Sequence, residues 1–167
     1  MLYEVGAKTI VRAVIPGPND WVLLLRRTKN HNLNPDMWEA PGGKLDPPEL
    51  AKATKNGVER EVLVGALERE NSEETGLPIL SIGGFNRVER RFLDNDRNKG
   101  LVICHAALVI VGEGEVVLDP EEHYEFRWQN PARLTPDITP ATFNALGMYN
   151  KYGFGPPLLK GQPVKAC

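Results

Sequence analysis

The sequence predicts an α/β (α+β) layered domain built on a mixed sheet. Three observations carry that reading: β-rich apolar segments before and after one long helical segment, a second helical segment at the C-terminal end, and polar, turn-rich connections between strands. At 167 residues, one domain is the default, with enough chain to bury a core.

The elements follow in order. TIVRAVI (9–15) is a strand and PGPND (16–20) a turn. WVLLLRR (21–27) is a strand buried on both faces at its centre, and KNHNLNPD (29–36) is a polar loop. MWEAPGGKL (37–45) starts extended and meets Pro41-Gly42-Gly43, which reads as a turn that lets backbone approach closely. PPELAKATKNG (47–57) reads as a short helix or helical loop, with prolines suited to its start and Asn56-Gly57 to its end. The long helix is VEREVLVGALERENSEETG (58–76), where Gly76 fits the position past its end and Pro78 stops continuation.

Strands return with LPILSIGGF (77–85). RVERRFL (87–93) and LVICHAALVIVG (101–112) are the arms of a hairpin joined by DNDRNKG. Strict alternation on the first arm puts Arg87, Glu89 and Arg91 on one face and Val88, Arg90 and Phe92 on the other. YEFRWQ (124–129) is a further strand, and TPATFNALGMYNKY (139–152) is a helix with a Thr-Pro start. GFGPPLLKGQPVKAC is irregular, so the domain spans 1–153 and a C-terminal tail spans 154–167.

Composition narrows the function classes. Lys+Arg is 20 against 22 Asp+Glu, so no global field draws nucleic acid or an anionic membrane, and phosphate recognition has to be local. No apolar run approaches the ~18 residues of a membrane span, and MLYEVGAKTIVRAVI lacks the form of a signal peptide. The two cysteines, Cys104 in an apolar run and the terminal Cys167, make no disulfide framework. A cytoplasmic protein that binds neither membrane nor nucleic acid stably is expected.

The long helix holds the most chemistry. Glu70, Glu73 and Glu74 share one side, since positions three and four apart are neighbours on a helix. Glu70 and Glu74 repel, and they lie in the last turns, where the helix dipole prefers cations. A hard divalent cation reverses both penalties, because Mg²⁺ and Mn²⁺ prefer oxygen ligands. The bland alternative is a solvated acidic face partly neutralised by Arg69.

Context decides between them. Arg69-Glu70, Glu73-Glu74, Gly76 and Leu77 match, in register, the second half of the Nudix hydrolase signature, which runs Gly, five residues, Glu, seven residues, Arg-Glu, hydrophobic, any, Glu-Glu, any, Gly, hydrophobic. Gly43 with Glu49 matches its first half, and Glu61 with Arg69 its middle. The chain therefore resembles the Nudix family over roughly residues 5–150, with VLLLRR and Trp38 adding to the likeness. Nineteen residues instead of seven separate Glu49 from Arg69, which implies an insert of about 12 residues near 49–60. A longer loop is tolerated because closure entropy grows only logarithmically. Asn71 also departs from the pattern, standing where the family has a hydrophobic residue.

The resemblance implies a Nudix-type α/β/α sandwich with a mixed central sheet. It also implies a metal-dependent hydrolase, MutT-like, acting on a nucleoside diphosphate linked to another group. By that likeness Glu70 and Glu74 are metal ligands, Glu73 is a further ligand or the base, and the Gly42 or Gly43 carbonyl adds an oxygen. Mg²⁺ or Mn²⁺ is the implied cofactor. Arg69 orients a carboxylate. The downstream base is sought in DPEEHYEFRW, with Glu122 favoured over Glu121 and Glu125. Phosphate contacts are sought among Lys44, Arg26, Arg27, Arg87, Arg90 and Arg91, with Lys44 favoured beside the glycines. Trp38 and Phe92 are candidates to stack on a base, with core packing the favoured role for each. His31, His105 and His123 read as surface or hydrogen-bonding residues rather than metal ligands, with His105 in a core-like strand.

The marks of ADP-sugar, dinucleoside polyphosphate, NADH and coenzyme A hydrolases are missing. A (deoxy)nucleoside triphosphate, split to monophosphate and pyrophosphate, is the expected substrate. A non-catalytic Nudix-fold binding domain is the runner-up, although no signature carboxylate is lost. An isoprenoid isomerase fits less well, because Cys104 lies in an apolar strand. A homodimer is left open.

Overall fold

The structure, a computed structural model, describes residues 2–54, 56–94 and 99–154. Strands β1 (Leu2–Tyr3), β2 (Lys8–Val14), β3 (Val22–Arg27), β4 (Trp38–Glu39) and β5 (Gly42–Lys44) precede the short helix α1 (Pro47–Leu50). Strand β6 (Val58–Glu59) runs into the long helix α2 (Arg60–Thr75). Strands β7 (Ile79–Ile82), β8 (Asn86–Asp94), β9 (Lys99–Val111) and β10 (His123–Gln129) follow, and helix α3 (Pro140–Tyr152) comes last.

The side-chain period of two builds the layers. On β2, Val11 and Ala13 enter one core and Ile10 and Val14 the other; on β3, Leu23 and Leu25 oppose Val22 and Leu24. Strands apolar on both faces need cover on both sides. Leu63, Ala66 and Leu67 of α2 fill the first core, and Ala145 and Leu146 of α3 fill the second. The result is the expected α/β/α sandwich. The main sheet runs β5-β2-β9, with β7 and β8 both pairing with β9; β2–β9 is parallel and the other pairings are antiparallel, so the sheet is mixed. A second sheet has the order β10-β3-β4, and β1 pairs with β6. Among the described residues no helix is long and apolar enough to cross a membrane.

Five local differences from the sequence reading have physical causes. Gly42-Gly43 is not a turn but part of β5, antiparallel to β2; at Gly42 (φ 145°) an added Cβ would lie 1.9 Å from the Val11 carbonyl oxygen. The helix expected over 47–57 stops at Leu50: Asp46 and Glu49 form a capping box, and the chain then turns back to pair Thr54 with Gly57. Residues 58–59 are a strand because β1 pairs with them. On β8 an irregularity between Arg87 and Glu89 breaks the alternation. Arg87 and Arg90 consequently both reach Glu4, while Glu89 and Arg91 line the central cavity. Phe154, assigned to the tail from sequence, is buried in the second core against Tyr149. Residues 155–167, with Cys167, and 95–98 of the hairpin connection lie outside the described residues.

The end of α2 follows its sequence. Gly76 adopts the left-handed conformation (φ 67°) and its N–H bonds back to Asn71 and Ser72 carbonyls. Asn71, the polar departure from the family pattern, is buried and donates to the Leu77 carbonyl at 2.8 Å. It replaces an apolar contact with a hydrogen bond that ties the chain leaving the helix.

Candidate active site

A cavity of about 780 Å³ opens where α2, β5, β8, the loop after β3 and the start of α3 converge. Its acidic wall depends on the absence of side chains at Gly42 and Gly43 of β5. A Cβ on Gly43 would lie 2.4 Å from Glu70 Oε1, and the Gly42 N–H donates to Glu74 Oε2 at 2.8 Å. The two carboxylates therefore rest against bare backbone. Glu73 joins them on the cavity wall.

These acids are poorly compensated. Burial pushes the Glu74 carboxyl well above its ordinary range, and the charge of Glu39 adds to the shift. Burial also raises Glu70, although Arg69 pulls the other way. Oxygen donors kept apart from water and short of positive charge suit Mg²⁺ or Mn²⁺. Arg69 does not line the cavity. It clamps the acids from behind, with Nη1 donating to Glu70 at 3.0 Å and Nη2 to Glu49 at 2.9 Å and to the Lys44 carbonyl at 3.0 Å. Glu73 lies 3.6 Å from it.

Beneath the acids lies a group that sequence reasoning missed. Glu39 is buried and meets Arg12 at 3.1 Å, Arg27 at 2.7 Å and His123 Nε2 at 2.8 Å. Burial opposes ionisation of Glu39, yet Arg12, His123 and Arg27 together hold its carboxyl far below the usual range. Arg12 also donates to the Ala40 and Gly42 carbonyls at 3.1 and 2.9 Å, fixing the strand that carries the glycines. Ligand atoms of Glu39, Glu74 and His123 all lie within 4.8 Å of one another, close enough to hold a metal ion. Two guanidinium groups already neutralise Glu39, which makes the α2 carboxylates the better seat for a cation. Arg12 and Arg27 stand beside the apolar runs of β2 and β3 and are themselves buried. A cation in a buried strand demands a counter-charge, and that signal was legible.

The other expected residues divide. Lys44, Arg91 and Glu122 line the cavity; Arg91 lies 3.6 Å from Glu89. Arg27 lines it too, with its guanidinium paired to Glu39 and donating to the Leu33 carbonyl. Trp38 is absent from the cavity. It is 3% exposed in the second core, with Arg127 stacked 4.1 Å from its ring centre, so it does not stack on a substrate base. The Gly42 carbonyl, an expected metal ligand, already accepts from Arg12, so a cation there would face a guanidinium. Arg26 pairs with Asp36 and Glu125, Arg87 and Arg90 pair with Glu4, and Phe92 is 69% exposed away from the cavity. His105 binds the Glu4 carbonyl at 2.8 Å, and His123 binds Glu39. His31, by contrast, lines the cavity.

A family model described as NUDIX domain matches residues 7–150. Among solved structures, a MutT protein from Methanosarcina mazei Go1 is 25% identical, with a TM-score of 0.59, covering 86% of this chain and 93% of that one. A MutT NUDIX hydrolase from Burkholderia pseudomallei is 23% identical, also at 0.59, over 84% and 95% of the two chains. A mutator MutT protein from Bacillus halodurans shares the fold at 17% identity and 0.59, over 88% and 84%. The comparison with curated proteins found no match.

Proposed function

We propose a substrate and a set of residue roles for this chain, which belongs to the Nudix family and is a hydrolase acting on pyrophosphate bonds. The substrate is a (deoxy)nucleoside triphosphate, cleaved to monophosphate and pyrophosphate. Likeness to MutT-type structures supports that choice, as does the absence of the marks of other subfamilies. The domain is residues 1–153, with Phe154 packed back onto it. The residues between Glu49 and Glu61 are an insertion in the signature; Glu49, not Glu61, is the acid that reaches Arg69.

The observation that carries the reading is Glu70 and Glu74 set against the backbone of two glycines, with Glu73 beside them on the same cavity wall. Mg²⁺ or Mn²⁺ held there by these carboxylates would supply neutralisation of phosphate charge and polarisation of a phosphoryl oxygen. The chain's own residues do the rest. Arg69 holds Glu70 in place through its hydrogen bond and ties α2 to α1 through Glu49. Lys44 and Arg91 balance the remaining phosphate charge from the cavity wall. Glu122, half-exposed on the cavity wall, accepts the proton of the attacking water.

Pyrophosphate release from a panel of nucleoside triphosphates, with and without Mg²⁺, tests the proposal. Metal-dependent turnover lost in Glu70→Gln supports it. Turnover restricted to another class of diphosphate-linked compound removes the substrate assignment, and turnover unchanged in Glu70→Gln removes the residue roles.

A further inference from the structure

We propose that His31 is the positioning residue for Glu122, holding through its Nε2–H the carboxylate that takes the proton from water. The inference rests on the reading of Glu122 as the base. Both residues line the cavity, from different segments: His31 from the loop after β3, and Glu122 from the turn before β10. The segments are stitched together beside them. The Thr28 N–H donates to the Glu122 carbonyl at 3.1 Å, and His123 sits opposite Arg27 in the β10–β3 register.

The ring's surroundings fix which nitrogen faces the acid. The Leu33 N–H donates to His31 Nδ1 at 3.2 Å. Arg27 Nη1 faces the same nitrogen at 3.4 Å, and Arg27 is itself held by Glu39. An arginine only donates, so both neighbours of Nδ1 require it to accept. A neutral imidazole with Nδ1 accepting carries its proton on Nε2. That nitrogen lies 3.6 Å from Glu122 Oε2. The gap is longer than a formed hydrogen bond, as apo catalytic contacts often are before substrate closes them. The Glu122 side chain is 52% exposed, and in the described structure His31 is its only ion-pair neighbour. Holding one oxygen aims the other at the water. Glu121 and Glu125 do not line the cavity and have no such partner there.

Two substitutions separate positioning from loop structure. Asparagine places an acceptor near Nδ1 and keeps the Leu33 bond, whereas glutamine places a donor near Nε2, facing Glu122. His31→Asn is expected to lower kcat about tenfold or more at nearly unchanged KM, with His31→Gln recovering most of that loss; a 1 Å misplacement alone can cost ~100-fold. The reverse ranking, or an effect confined to KM, overturns the proposal, because a purely structural histidine favours asparagine. Added to Glu122→Gln, His31→Asn should cost nothing further, and additive losses overturn the proposal too. Nitrogen NMR of the ring gives a readout independent of turnover: an Nε2–H tautomer whose proton resonance moves in Glu122→Gln is expected. An Nδ1–H tautomer, or an unmoved resonance, rejects the contact even if nucleotides are hydrolysed. The expected spectrum in a protein inert to nucleoside triphosphates would instead remove the substrate assignment.

Discussion

Glu39 and Glu74 are both buried, and their carboxylate oxygens come within 4.8 Å of each other, yet their electrostatics are opposite. Glu39 lies among Arg12, Arg27 and His123, which outweigh burial and hold its carboxyl far below the ordinary range. Among the described residues the Glu74 carboxylate accepts one hydrogen bond, from the Gly42 N–H; with the charge of Arg12 this is outweighed by burial and the charge of Glu39, and its carboxyl is pushed well up. Neighbouring acids in one protein thus do different work. The first is neutralised by the chain and fastens β2, β3, β4 and β10 together. The second is left short of positive charge, which is the condition in which a divalent cation adds most.

The largest effect that can break this contrast is catalytic. Glu70→Gln or Glu74→Gln should lower kcat/KM by about 10³-fold or more, the several kcal/mol that a metal ion contributes to a transition state. Retention of activity in a pyrophosphate-release assay would erase the distinction. Next comes Glu39→Ala, which strands two buried guanidinium groups. It should destabilise the fold by about 3–5 kcal/mol in denaturant unfolding, where a loss under ~1 kcal/mol would contradict the fastening role.

The pH dependence of metal-free stability sharpens the contrast through its sign. Glu74 binds its proton more tightly folded than unfolded. It therefore penalises the native state as pH rises from the unfolded carboxyl value, about 4.3, toward the higher folded one. Glu74→Gln should unfold at a higher temperature than wild type at pH 8 without metal, and the difference should vanish near pH 4. Glu39 runs the other way: its stabilisation is present above the unfolded value and is lost as pH falls. The smallest effect concerns the cavity rim. Lys44→Ala or Arg91→Ala should raise KM by about fivefold, near 1 kcal/mol, with kcat little changed, because exposed charges are screened by water.

Much of this was legible in the sequence. Strands 9–15 and 21–27, the long helix with its glycine stop, the hairpin and the last helix all follow from period and punctuation. The α2 acids follow from their spacing, which a helix turns into a shared face. What escaped depends on tertiary partners. For Arg27, a lone sequence does not show that Glu39 faces it across the β3–β4 pairing. For Trp38 the sequence offered both stacking and core packing, and only the tertiary structure shows Arg127 and the second core enclosing it. The irregularity at Val88 reassigns Arg90 to the Glu4 side, a change that strict alternation cannot anticipate. The glycines read as a turn because a glycine pair marks close approach without saying what approaches; here it is a strand on one side and two carboxylates on the other.

The central claim is that α2 carries carboxylates awaiting an ion. Titration of the metal-free protein with Mn²⁺ by calorimetry at pH 7.5, wild type beside Glu74→Gln, addresses it without any substrate. Heat of binding in the wild type that is lost or greatly weakened in the variant is the predicted result. Equal heats in the two proteins, or none in the wild type, would contradict it.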